Sequence, residues 1–127
     1  MCCIVVKCIY ICSMNTEKNI SQMRKGVLEL CILAIISHNG DVYASDILDR
    51  LKTAELIVVE GTLYPLLTRL KNDGLLSYRW EESKSGPPRK YYQITPSGDA
   101  LLTELTTGWN ELVSAVDQLI KTEKEPS

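Results

Sequence analysis

Residues 27–36 read Val-Leu-Glu-Leu-Cys-Ile-Leu-Ala-Ile-Ile, and wound into a helix this run is apolar on nearly every face. A helix of that kind has to be covered on more than one side. With 127 residues, 45% of them apolar and 24% charged, the chain has the make-up of one ordinary globular domain with a modest core. That domain can cover one side of the helix. The other side calls for a further partner, such as another chain. The Asn-Gly in His38-Asn39-Gly40-Asp41 is a helix stop and turn, so the first strong helix is expected over 21–37.

A second helix is expected over 44–54, with Ile47, Leu48 and Leu51 on one stripe and Asp46, Asp49, Arg50 and Lys52 off it. A short β-branched link leads to a third helix over 61–73, which Asn72-Asp73-Gly74 ends. Residues 75–82 and 89–94 read as two aromatic-rich strands joined by Ser83-Lys84-Ser85-Gly86-Pro87-Pro88. Thr95 is the expected N-cap, and Pro96 the first position, of a long last helix reaching about residue 121. The order is helix, helix, helix, hairpin, helix. That is a mainly α fold with a β-hairpin wing: a winged helix-turn-helix followed by a C-terminal dimerisation helix.

The chain divides into an extension over 1–19, a winged-helix domain over 20–95 and a dimerisation helix with a short tail over 96–127. Residues 1–13 read as a floppy or non-native extension, because Met14 opens a normal polar lead-in. Cys2, Cys3, Cys8 and Cys12 crowd this extension; Cys8 and Cys12 have a tolerable spacing for a metal. No His or second Cys pair follows at zinc-ribbon distance, so no metal and no cofactor are expected. Lys7 interrupts a very short apolar stretch, which fits a secretory signal poorly. The stretch is also far short of the roughly 20 residues that span a bilayer, so the body of the chain reads as cytoplasmic with reduced thiols. His38 is the one histidine and abuts a helix stop, and neither a phosphate-cradling glycine loop nor a nucleophile elbow occurs. An enzyme is not expected.

The net charge of −2 conceals a partition. Between 62 and 91, Arg69, Lys71, Arg79, Lys84, Arg89 and Lys90 outnumber Asp73, Glu81 and Glu82. From 99 onward Asp99, Glu104, Glu111, Asp117, Glu123 and Glu125 outnumber Lys121 and Lys124. The middle of the chain therefore suits an anionic partner. On the third helix Leu63, Leu66, Leu67 and Leu70 form the buried stripe, leaving Thr62, Pro65, Thr68, Arg69 and Asn72 outward with Tyr64 on a flank. Such a face reads either as simply solvated or as a reading head whose hydroxyls meet phosphates, with Arg69 and Asn72 at base edges or phosphates.

Two segments carry a specific resemblance: Gly61-Thr62-Leu63-Tyr64-Pro65 with Leu67, Leu70, Gly74, Leu75 and Leu76, then Arg89-Lys90-Tyr91-Tyr92 with Ile94, Thr95 and Gly98. In this order and spacing they resemble the PadR family of bacterial transcriptional regulators. The resemblance implies a DNA-binding repressor in which 86–94 is the second half of the wing. Gly86-Pro87-Pro88 would stiffen the loop so that Arg89 and Lys90 emerge at a defined place, with Lys84 on the other arm. Strand alternation puts Lys90, Tyr92 and Ile94 on one face, with Tyr92 and Ile94 packed on the helices and Tyr78 and Trp80 likewise. Where the family has an aromatic in its second helix opening, this chain has Ser45 after Tyr43, whose hydroxyl still suits a phosphate. The other function class for such a fold is a protein-interaction module without specific DNA binding.

Leu102, Leu105, Trp109, Leu112, Val116 and Leu119 repeat at intervals of 3, 4, 3, 4 and 3, an a/d seam. The expectation is a homodimer about a two-fold axis, helped by the apolar first helix. Two related reading heads predict double-stranded DNA with an inverted repeat, its half-sites about 34 Å or a multiple apart. Trp109 reads as an interface core residue; the resemblance implies a second role, as the stacking platform for a small flat aromatic effector.

Overall fold

The computed structural model describes residues 2–56, 58–83 and 86–124, with side chains from residue 16 to residue 121. Its elements are α1 (Cys2–Asn39), β1 (Val42–Tyr43), α2 (Ala44–Thr53), α3 (Glu60–Asn72), β2 (Leu76–Ser83), β3 (Gly86–Ile94) and α4 (Pro96–Lys124). The first helix is longer than 21–37. It starts at Cys2, so the backbone of the extension over 2–13, read from the sequence as floppy or non-native, is helical. Residues 2–25 hold neither a proline nor a glycine, so nothing in them interrupts the helical hydrogen bonding.

Local signals end and start the helices. At the end of α1 the Asn39 side-chain amide donates to the Ile35 carbonyl at 2.6 Å, and Gly40 turns the chain with φ of +77°. That left-handed conformation is strained for a residue with a Cβ. The Asp46 carboxylate accepts the Tyr43 N–H at 3.1 Å, one half of a capping box at the start of α2. Thr95 caps α4 as its sequence position predicts: its hydroxyl oxygen accepts the Gly98 N–H at 3.1 Å and donates to the Gly74 carbonyl at 2.7 Å. The Thr95 N–H reaches the Leu75 carbonyl at 3.1 Å, so the root of α4 is tied to the turn after α3.

The core lies where α1, α2 and α3 meet one face of the sheet. Ile32, Leu33 and Ile36 of α1 pack with Ile47 and Leu51 of α2, and with Leu63, Leu67 and Leu70 of α3. Each is essentially removed from water, worth about 1.5–3 kcal/mol per side chain before entropy is charged. Val42, Leu76 and Tyr92 close the core from the sheet.

The sheet has three strands in the order β1-β3-β2, antiparallel throughout, where the sequence foretold two. Val42 opposite Tyr92 and Tyr43 opposite Tyr91 form the extra pairing, and β2 runs from Leu76 opposite Ile94 to Ser83 opposite Gly86. Tyr78, Tyr92 and Ile94 pack on the core as expected. Trp80 does not: it is 60% exposed. It stands further out along the hairpin, and Lys90, its cross-strand partner, covers one face of its ring.

Helix α4 runs antiparallel to α1. The Ser37 hydroxyl donates to Asp99 at 3.3 Å, and further along Trp109, Leu112 and Val116 reach the level of Ile20 and Met23. The expected seam divides here. Leu102 and Leu105 are partly buried against the subunit's own core. Trp109, Leu112, Val116 and Leu119 stay open to solvent, Leu119 by 71%.

Candidate nucleic-acid interface

Helix α3 begins at Glu60, which places Pro65 inside it. Proline has no N–H to offer the Gly61 carbonyl one turn back, so that helical hydrogen bond is missing from the first turn. Leu63, Leu67 and Leu70 face the core, and Thr62, Tyr64, Pro65, Thr68 and Asn72 are exposed.

Beside this face the hairpin stands as a second wall. Between them lies an open cleft of about 460 Å³. Tyr64 and Thr68 of α3 line it on one side, Tyr43 and Ser45 at the root of α2, and Trp80, Pro88, Arg89, Lys90 and Tyr92 on the wing side. Thr68 spends its proton on the Tyr64 carbonyl at 3.0 Å, which leaves its oxygen as an acceptor. Lys90 lies 4.5 Å from the Tyr78 ring centre and 5.1 Å from that of Trp80, and Lys71 lies 5.3 Å from Tyr78. Cations on aromatic faces are held in place without being neutralised. The cleft thus offers the positive charges of Arg89 and Lys90 and a row of hydroxyls, the groups that meet a phosphodiester backbone.

The other face of the sheet is bound more tightly. Arg79 donates to the Asp41 carboxylate at 2.5 Å, and the Gln93 amide donates to its other oxygen. These two hydrogen bonds, that of Arg79 first, hold the Asp41 carboxyl below its ordinary range. The Tyr43 and Tyr91 rings stack with centres 3.9 Å apart. The Tyr91 phenol is pushed up to about 12, chiefly by its hydrogen bond with Tyr43 and then by burial. Arg79 sits 5.1 Å from the Tyr91 ring centre and Arg89 sits 5.3 Å from that of Tyr43.

Of the residues singled out in the sequence, the cleft gathers Tyr43, Ser45, Tyr64, Thr68, Arg89 and Lys90. Thr62, Pro65 and Asn72 are exposed on α3 but do not line it. Arg69 is also outside it: its side chain, 55% exposed, is ion-paired with Glu29 of α1. Lys84 lies outside the described residues. Sequence reasoning missed Trp80 as a cleft wall, although its pairing with Lys90 follows from the hairpin register. It also missed Asp41, for which no local signal exists.

A second concave surface runs between α1 and α4, a groove of about 500 Å³ lined by Ile20, Met23, Val27, Trp109, Leu112 and Val116. Among the described residues no three His, Cys, Asp or Glu side chains are grouped to hold a metal ion, and no helix is long and apolar enough to cross a membrane.

Known proteins resemble this chain closely in sequence and fold. The family model described as the transcriptional regulator PadR-like family matches residues 32–104. A transcriptional regulator of Mycobacterium tuberculosis is 37% identical over 86 residues, covering 66% of this chain and 79% of its own. A PadR-like transcription factor from Bacteroides fragilis is 58% identical, covers 80% of this chain and 98% of its own, and superposes with a TM-score of 0.68. A PadR-family regulator from Eggerthella lenta, 28% identical, covers 89% of this chain and 98% of its own with a TM-score of 0.82. The matched span takes in the buried half of α1, the cleft walls and the root of α4, and the chain belongs to the PadR-like family of transcriptional regulators.

Proposed function

We propose that this PadR-family regulator acts in the cytoplasm as a homodimeric repressor that binds double-stranded DNA carrying an inverted repeat. The cleft between α3 and the wing carries the reading: Lys90 and Arg89 stand on aromatic faces opposite Tyr64 and Thr68, where the cationic wing meets an exposed helix. Tyr64, Pro65, Thr68 and Asn72 enter the major groove, Thr62 and Ser45 bond its phosphates, and Arg89 and Lys90 of the wing meet the flanking backbone or minor groove. Lys84, outside the described residues, adds a further positive charge, and Arg69 contributes at the flank once it leaves Glu29. Two copies join through the open stripe of Trp109, Leu112, Val116 and Leu119 together with Ile20 and Met23 of α1, which are also exposed in the single subunit. The groove beside Trp109 then receives a small flat aromatic effector that releases the repressor from its operator.

The test is a mobility shift with the DNA upstream of the chain's own gene. Arg89→Ala weakens specific binding and lowers the slope of log affinity against log salt by about one, the share of one phosphate contact, while the dimer stays intact by sedimentation. Unchanged affinity in Arg89→Ala and in Lys90→Ala overturns the reading. A partner bound with no salt dependence marks a protein-interaction module instead.

A further inference from the structure

The outer face of the sheet carries an arrangement that DNA contact alone does not require. Across its three strands, Arg79 of β2, Tyr91 of β3 and Tyr43 of β1 stand side by side, because both Arg79 and Tyr43 are register partners of Tyr91. Arg89, two residues before Tyr91 on β3, lies over the Tyr43 ring. The result is a continuous chain of contacts: guanidinium on phenol, phenol on phenol, guanidinium on phenol, at 5.1, 3.9 and 5.3 Å. Its inner end is anchored, since Asp41 accepts hydrogen bonds from Arg79 and Gln93. Its outer end is Arg89, an exposed residue that also lines the cleft.

We propose that Tyr91 and Arg79 are positioning residues: they fix the Tyr43 ring as a platform that holds the Arg89 guanidinium in its DNA-contacting place before DNA arrives. The inference rests on the wing binding DNA, as proposed above. A free arginine loses rotamer entropy when it docks, and ordering it beforehand moves that cost from binding to folding. Tyr91 touches no DNA in this scheme; it acts through Tyr43 on Arg89. Glu81, opposite Arg89 in the register and 3.6 Å from Arg79, would otherwise compete for Arg89; with Arg79 beside it, Glu81 is supplied with a cation of its own.

The experiment measures operator affinity and its salt slope for the full-length chain. Tyr91→Leu removes the ring and is expected to weaken binding about fivefold, within the range for one immobilised side chain. Its salt slope stays that of the parent, because Arg89 still reaches the phosphate once bound. Arg89→Ala, by contrast, loses about one unit of slope. Tyr91→Phe keeps the ring and restores affinity to within about twofold of the parent. In the Arg89→Ala background Tyr91→Leu has no further effect, since nothing remains to be positioned. Should Tyr91→Leu fail to fold, Tyr91→Met carries the same expectations. Additive losses, a slope change in Tyr91→Leu, or parental affinity in it overturns the positioning role. If Arg89→Ala itself leaves affinity and slope unchanged, it is the DNA reading of the wing that falls.

Discussion

Gly98 offers the sharpest check on how the wing and the last helix are joined. It is the third residue of α4 and buried, and it is the glycine that closes the second of the two family-like segments. A Cβ built on it would lie 2.6 Å from the Ile94 side chain, 3.1 Å from the Leu75 carbonyl carbon and nearer still to the Leu75 carbonyl oxygen. Real Cβ atoms essentially never approach within 3.0 Å. The oxygen cannot swing aside, because it accepts the Thr95 N–H, and the turn that carries it is held again by the Thr95 hydroxyl on the Gly74 carbonyl. Gly98→Ala therefore has to lift the first turn of α4 from the α3–β2 turn.

Three effects set the size. Overpacking a tight site costs about 1–3 kcal/mol. A loosened Leu75–Thr95 hydrogen bond adds about 1 kcal/mol. The better helix propensity of alanine returns at most about 1 kcal/mol. The net is a loss of about 2 kcal/mol, or roughly 6–12 °C in the thermal midpoint of a domain of this size. Thermal unfolding followed by circular dichroism measures it. Gly61→Ala is the control, since nothing stands within 4 Å of its Cβ and its midpoint should hold or rise slightly. A Gly98→Ala chain as stable as the parent would refute the close approach of α4 to Leu75.

Two further outcomes follow from the open stripe and from the tyrosine stack. Leu112→Asp should leave the subunit folded, because the leucine is 56% exposed there, and convert the proposed dimer to a monomer in sedimentation; Leu105→Asp, packed against the subunit's own core, should instead destabilise it by about 2–4 kcal/mol. The Tyr91 phenol is raised from 10.0 to about 12, so the folded chain holds its proton more tightly than the unfolded chain does. Its contribution to stability is complete below pH 10.0 and drains away as the pH climbs to about 12. Urea midpoints measured across that window should fall more steeply for the parent than for Tyr91→Phe, and equal slopes would argue against the Tyr43–Tyr91 hydrogen bond.

What the sequence disclosed was whatever a few neighbouring residues decide by themselves. Asn39-Gly40 stops α1 and Thr95-Pro96 starts α4, because a cap needs only its own turn. The buried stripe of α3 was legible from the spacing of its leucines. The misses share one cause, that the answer lay on another element. Alternation assigns Trp80 to the face of Tyr78 but not how far along the hairpin the helices reach. The outward angle of Arg69 on α3 is legible, while Glu29, forty residues earlier, is not. Strand β1 has two residues, too short for any pattern, and exists because the backbone of Tyr91 and Tyr92 offers it an edge.

The apolar run at 27–36 and the seam of α4 likewise depend on one another. Each has more apolar surface than one small core can cover, and each is divided lengthwise. Ile32, Leu33 and Ile36 go inward, as do Leu102 and Leu105 on the facing helix, while Val27, Met23 and Ile20 are left beside Trp109, Leu112 and Val116. Because the helices are antiparallel, the two leftovers fall at the same level and form one surface. A mate that covers it must therefore touch α1 as well as α4, so two C-terminal helices zipped alone would leave the α1 half bare. Helix α1 continues from that surface into the core against α3 and pairs with it through Glu29 and Arg69. If two copies pair as proposed, a shift of one against the other is expected to reach the helix behind the proposed DNA-binding face.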